Sequence, residues 1–194
     1  CGNMLPDGMV KNQSFASVLD TDILFTPSTK PETGHDESMS PEALIALGVT
    51  TVEEMEEVQE KAFALFRRGQ QVAAEHGLIL VDTKYEMGYD ADGVLTVGDE
   101  VHTPDSSRYW IKDSYQERFK RGEEPESLDK EFFRLWLREQ GFEYDDKSTW
   151  PKITDDVRVQ LSQRYIDLYE RMTEKSFQVP DNEDVVGRIQ NALI

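Results

Sequence analysis

Apolar positions fall at helical spacing over most of this chain and at strand spacing in one short stretch. Met55, Val58, Ala62, Leu65, Phe66, Val72 and Ala73 recur three and four residues apart, which puts them on one face of a long helix. Thr51 and Glu54 ahead of it form a capping box, and Gly77 supplies the stop. A shorter helix precedes it, opened by Ser40-Pro41-Glu42 and closed by Gly48. The rhythm then changes. Leu78-Ile79-Leu80-Val81-Asp82-Thr83-Lys84-Tyr85-Glu86 reads as a strand, Asp90-Ala91-Asp92-Gly93 as a turn, and Val94-Leu95-Thr96-Val97-Gly98-Asp99 as the returning strand of a β-hairpin. Residues 103–126 read as loop. Ser127 caps a predicted helix that carries Phe132, Phe133, Leu135 and Trp136 and ends at Gly141. A helix from near Thr154 places Val157, Leu161, Tyr165, Leu168, Tyr169 and Met172 on one face, and a last one follows Pro180 with Val185, Ile189 and Leu193. Residues 1–39 are rich in turn formers and hold one apolar run, Ile23-Leu24-Phe25. A stretch this long without regular structure is usually functional or packed against something. The expected class is α+β: one domain in which helices pack on a small antiparallel sheet.

Composition fits that picture. With 194 residues, 38% hydrophobic and 31% charged, the chain can bury a core and is not disordered. No apolar run approaches the ~20 residues of a membrane helix, so no membrane partner is expected. The formal net charge of −18 opposes nucleic acid and anionic membranes, since a phosphate-binding surface needs clustered Lys and Arg. A single cysteine, Cys1, permits no intrachain disulfide and fits a reducing cytoplasm. The start lacks a signal peptide, is not Met, and opens on a Gly/Pro turn, so sequence upstream of Cys1 is expected to be missing.

Chemistry concentrates in the hairpin. Asp82, Lys84 and Glu86 alternate along one strand and so share a face. A turn centred on Ala91-Asp92 pairs positions whose numbers sum to about 183, which sets Lys84 opposite Asp99. Carboxylates so placed can hold Mg²⁺, and a lysine beside them can meet a substrate anion. On pattern alone the commoner meaning is a solvated strand face laced with salt bridges. The apolar entry Leu78-Ile79-Leu80-Val81 argues instead that the charged end emerges from a core into a cleft. Thr103-Pro104-Asp105-Ser106-Ser107-Arg108 can cradle a phosphate or be a polar turn. In Thr26-Pro27-Ser28-Thr29-Lys30, the lysine among hydroxyls can do the same, and His35 next to Asp36 offers acid–base work, metal binding or, more commonly, an ordinary hydrogen bond. The three histidines are too scattered for a zinc site, and P-loop, Rossmann and hydrolase-elbow motifs are absent from the sequence.

Taken in order, these segments resemble one family, the SAICAR synthetases. Asp82-Thr83-Lys84-Tyr85-Glu86-Met87-Gly88 resembles the family's D-x-K-x-E-F-G segment, with Met87 where Phe is usual. Gly98-Asp99-Glu100 and Thr103-Pro104-Asp105-Ser106-Ser107-Arg108-Tyr109-Trp110 resemble the next segment at the expected distance. Phe25-Thr26-Pro27-Ser28-Thr29-Lys30 and His35-Asp36-Glu37 resemble the upstream loop, with slightly altered spacing, and Leu128-Asp129-Lys130-Glu131-Phe132 the start of a following helix. The match runs over roughly residues 25–137.

The resemblance implies the larger, carboxy-terminal lobe of an ATP-grasp-like ligase whose amino-terminal nucleotide-binding lobe is missing. Its reaction would join L-aspartate to carboxyaminoimidazole ribonucleotide using ATP. Glu86 and Asp99 would hold Mg²⁺ against the ATP phosphates. Lys84, Asp82, Asp36 and Asp129 would line the imidazole nucleotide site, with Lys84 and Asp82 as catalytic residues. Arg108 and Ser107 would take the 5′-phosphate, and Lys30 would add a substrate contact. A different class remains open: a non-catalytic binding module derived from that ligase. The sequence also leaves homo-oligomer formation open.

Overall fold

The computed structural model describes residues 7–14, 23–29, 37–179 and 184–193. Capping chemistry places the helices where the sequence suggests. Ser40 accepts a hydrogen bond from the Ala43 N–H at 3.2 Å and opens α1 (Pro41–Ala46). The Thr51–Glu54 capping box opens α2 (Val52–Glu75), which buries Met55, Ala62, Phe66 and Ala73. Gly77, at φ +71°, turns the chain out of α2 into β1 (Leu78–Thr83).

The sheet differs from the predicted hairpin. β1 pairs with β4 (Ser107–Ile111), not with the returning strand, and the two form their own antiparallel pair. The hairpin shrinks to β2 (Met87–Tyr89) and β3 (Leu95–Val97), paired as Met87↔Val97, Gly88↔Thr96 and Tyr89↔Leu95. That register is one step from the expected one. Its turn is as read: the Asp90 side chain accepts from the N–H groups of Asp92 and Val94, both at 2.9 Å. Burial explains the partner choice. Leu78 and Leu80 need an apolar surface alongside, and Tyr109 supplies it, all three being at most 2% exposed.

The segment expected as loop at 103–126 therefore holds β4 and also α3 (Lys112–Lys120). Tyr115 of α3 stacks on Trp110 with centroids 5.4 Å apart. Ser127 bridges to Trp110 rather than capping a helix, and α4 (Glu131–Glu139) starts four residues later. Thr154 caps α5 (Asp155–Thr173), which buries Val157 and Leu168 but leaves Tyr169 42% exposed, off the expected apolar face. Asp184 caps α6 (Val185–Ala192), whose Val185 and Ile189 are exposed. The central core joins Phe66, Ala73, Leu78, Leu80, Tyr109, Leu128 and Leu168 with Ile23. The α+β class stands. Among the described residues no helix is long and apolar enough to cross a membrane.

Candidate active site

The site begins with a bulge. Leu80 pairs with Tyr109, but Asp82, two residues on, pairs with Arg108, so β1 carries one extra residue at Val81. Without it Asp82 would keep the phase of Leu78 and Leu80 and face the core. With it, Asp82 stands beside Arg108 on the opposite face. Beyond β1, the Lys84 N–H donates to the Ser106 carbonyl at 3.2 Å, so Lys84 runs alongside Ser106 and not opposite Asp99. The Glu86 carbonyl accepts from the Gly98 N–H at 2.8 Å, which brings the segment leading to Asp99 against Glu86.

These turns frame one cleft of about 480 Å³. Asp82, Lys84, Glu86, Asp99, Ser107, Arg108 and Asp129, all singled out in the sequence, line it together. Lys30 and Asp36, with His35, lie outside the described residues. Sequence reasoning passed over Glu100, Lys130, Glu131 and Arg134, which line the same cleft. Three of them follow Asp129 closely: Lys130 is the N-cap of α4, and Glu131 and Arg134 lie at its start at i,i+3 spacing, a pattern common on surface helices.

Arg108 is the electrostatic centre. It pairs with Asp82 across the strands and with Glu131 at 3.3 Å. Burial works against its charge, but the two carboxylates outweigh that and raise its pKa. Glu131 is the reciprocal case. Burial opposes its charge, yet Arg108 and Arg134 lower its pKa. Asp129 is 1% exposed and serves the backbone, accepting from Tyr109 N–H at 2.8 Å and Glu131 N–H at 2.7 Å. Burial raises its pKa despite those bonds. The Ser107 hydroxyl, also buried, donates to Thr83 Oγ1 at 2.9 Å.

Among the described lining residues, seven carboxylates face four cations, a formal surplus of three negative charges. Each cation already has an acid: Lys84 with Glu86 at 3.2 Å, Lys130 with Asp105 at 2.8 Å, Arg134 with Glu131 at 3.3 Å. An incoming anion must therefore displace a carboxylate or arrive with a cation. Among the described residues no three His, Cys, Asp or Glu groups are gathered to hold a metal unaided.

The family model for SAICAR synthetase matches residues 1–151. The chain belongs to the SAICAR synthetase family. It is 46% identical to the phosphoribosylaminoimidazole-succinocarboxamide synthase of Legionella pneumophila (strain Lens) over 198 residues, a match that covers 100% of this chain and 61% of that one. Its identity to the enzyme of the same name from Bacteroides thetaiotaomicron is also 46%, covering 100% of this chain and 60% of that protein. The chain thus spans about 60% of the length of these curated relatives. Among solved structures, the Saccharomyces cerevisiae SAICAR synthase complexed with SAICAR superimposes with a TM-score of 0.60 at 32% identity, covering 74% of this chain and 46% of that one. A type-2 SAICAR synthetase in complex with ADP gives 0.53 at 25% identity, over 75% and 48%.

Proposed function

We propose that this chain is the larger, carboxy-terminal lobe of an ATP-dependent ligase that joins L-aspartate to the carboxylate of carboxyaminoimidazole ribonucleotide. A carboxylate oxygen of the nucleotide takes the γ-phosphoryl group of ATP and releases ADP. The aspartate amine then attacks the acyl carbon, loses a proton and expels phosphate, leaving an amide. The observation that carries this reading is the gathering of Asp82, Lys84, Glu86, Asp99, Ser107, Arg108 and Asp129 in a single cleft. The relatives' names, which give a succinocarboxamide product, and the neighbours' complexes with ADP and SAICAR support this reading.

The protein's share of the catalysis is positioning and charge neutralisation. Arg108, held between Asp82 and Glu131, is preset to receive the 5′-phosphate with help from Ser107, and binding exchanges one anionic partner for another. Lys84 would meet the carboxylate being activated with its ammonium. Asp82 orients the imidazole nucleotide and keeps Arg108 in place. Asp129 acts through the backbone by fixing β4 to the start of α4. Glu86 and Asp99 would hold Mg²⁺, whose contribution is to neutralise phosphate charge. The rest of the nucleotide cleft would come from sequence matching the relatives' remaining length, and Lys30 and Asp36 would add substrate contacts.

A second reading, a binding module without catalysis, draws on the chain spanning only about 60% of its relatives. One assay separates the two. ADP release is followed with ATP, the imidazole nucleotide and L-aspartate, using residues 1–194 alone and spliced in place of the matching segment of the Legionella pneumophila relative. The segment alone is expected to be inactive and the spliced enzyme active. A dead spliced enzyme beside an active parent supports the module. In the spliced enzyme, Asp99→Asn should cut turnover at least ~100-fold, the scale of losing a key electrostatic group. Near-normal turnover would refute the metal role.

A further inference from the structure

Behind the cleft, the residue between Lys84 and Glu86 turns the other way. Tyr85 packs against the core, and its hydroxyl shares a hydrogen bond with His102 Nε2. The two rings meet edge-on with centroids 5.5 Å apart. His102 follows Asp99 by three residues and adopts left-handed backbone, φ +57°. A non-glycine residue holds that conformation only where its surroundings impose it. Here they do. The Tyr109 hydroxyl donates to the His102 carbonyl at 2.7 Å. On the far side lies Gly69 of α2, where an added Cβ would stand 2.4 Å from His102 Cε1 and 2.7 Å from Leu80 Cδ2. The imidazole thus sits between Gly69 of α2 and Tyr85, while β4 holds the His102 backbone through the Tyr109 hydroxyl.

The consequence falls on Asp99. Gly98 is anchored to the Glu86 carbonyl at 2.8 Å, and His102 is anchored to Tyr85. Asp99 and Glu100 therefore lie between two ties to the very segment that carries Lys84 and Glu86. We propose that Tyr85 and His102 form a positioning pair that sets the separation of the Lys84–Glu86 arm from the Asp99–Glu100 arm, with Gly69 as the seat that admits the imidazole. Neither side chain needs to touch substrate. The pair acts through the acids it holds apart, and this rests on the reading that Glu86 and Asp99 face a metal–nucleotide together.

The test compares Tyr85→Phe, His102→Leu, the double variant and Glu86→Gln in the spliced enzyme. Tyr85→Phe should raise the KM for Mg·ATP about two- to tenfold, the range set by one neutral hydrogen bond. The KM values for the imidazole nucleotide and L-aspartate should stay within about twofold, and the thermal midpoint should barely move. Tyr85→Phe should add nothing further once His102→Leu is present, and His102→Gln, which keeps a hydrogen-bonding group, should recover part of the loss. Equal rises in all three KM values, or none, would overturn the pair. If Glu86→Gln also leaves Mg·ATP dependence untouched, the metal reading itself has failed; if Glu86→Gln is sensitive and Tyr85→Phe silent, only the pair has. A readout independent of activity uses the 194-residue chain. Amide exchange over residues 99–106 should quicken about two- to tenfold in Tyr85→Phe, and unchanged exchange overturns the proposal.

Discussion

The two strand pairs of this molecule differ in what holds them. β1 and β4 pair through Leu78, Leu80 and Tyr109, each at most 2% exposed, and α2 packs over them. β2 and β3 pair over three residues each, with Met87, Leu95 and Val97 half-buried and Gly88, Tyr89 and Thr96 exposed. The short pair has a turn locked by Asp90 and a tether to α2, the Tyr89 hydroxyl to Glu57 at 2.9 Å. Cleft residues come from both. Asp82, Ser107 and Arg108 project from the buried pair, while Glu86 and Asp99 flank the base of the exposed one. The division teaches where rigidity is placed. The groups proposed for the substrate phosphate ride on the core, and those proposed for the metal stand on a lighter element that needs its own fastening.

The largest expected effect breaks the comparison at its root. Leu80→Ala in the 194-residue chain removes a side chain that is 2% exposed and should cost about 2–5 kcal/mol of unfolding free energy. Val97→Ala, on the half-buried pair, should cost roughly 1 kcal/mol or less, because less apolar surface leaves contact. Denaturant unfolding at constant slope measures both. Comparable losses would mean that the hairpin is as firmly built as the platform.

The next prediction concerns the platform's cargo. Arg108→Ala in the spliced enzyme should raise the KM for the imidazole nucleotide about ten- to hundredfold, the range for hydrogen bonds to a charged group. The KM for L-aspartate should change far less. Some of the loss reflects Asp82 and Glu131 left without their common cation. Arg108→Lys, which restores charge but not the two-pronged geometry, should recover only part of it. Equal effects on both substrates would remove the phosphate role.

Local chemistry in the sequence sufficed for α1, α2 and α5. Ser40, Thr51 with Glu54, and Thr154 all cap where their spacing indicates, and the Asp90–Gly93 turn forms as read. What escaped was non-local. β4 pairs with β1 across 24 to 33 positions, and nothing in a short window reveals that Tyr109 belongs beside Leu80. α3 is polar apart from Tyr115 and Phe119, so it lacks an apolar stripe; it is held by ring stacking on Trp110. The bulge at Val81 is a matter of pairing geometry, yet it decides which way Asp82 points. Motif spacing picked out carboxylates and cations that one cleft brings together, while missing the route by which the chain unites them. Lys130, Glu131 and Arg134 escaped for a different reason: i,i+3 charges at a helix start are so common on surfaces that the pattern does not mark a cleft.

The smallest effect tests the fastening of the lighter element by pH. Burial lowers the pKa of His102, so the folded protein keeps the imidazole neutral to lower pH than the unfolded chain does. In the unfolded chain a histidine titrates near about 6.5. As pH falls through that value, the unfolded state takes up a proton that the folded state refuses, and stability drops. The drop ends once pH passes below the folded pKa and both states are protonated. Stability from this group is therefore complete above the unfolded value and lost on acidification. Wild type should lose more unfolding free energy between pH 7.5 and 5.5 than His102→Gln, measured by denaturant titration. His76, 3.8 Å from Glu174 Oε1, is common to both chains and cancels in the difference. Parallel pH curves would show that His102 is protonated as readily folded as unfolded. Its seat against Gly69 and Tyr85 would then be looser than drawn, and Asp99 would lose one of its two anchors.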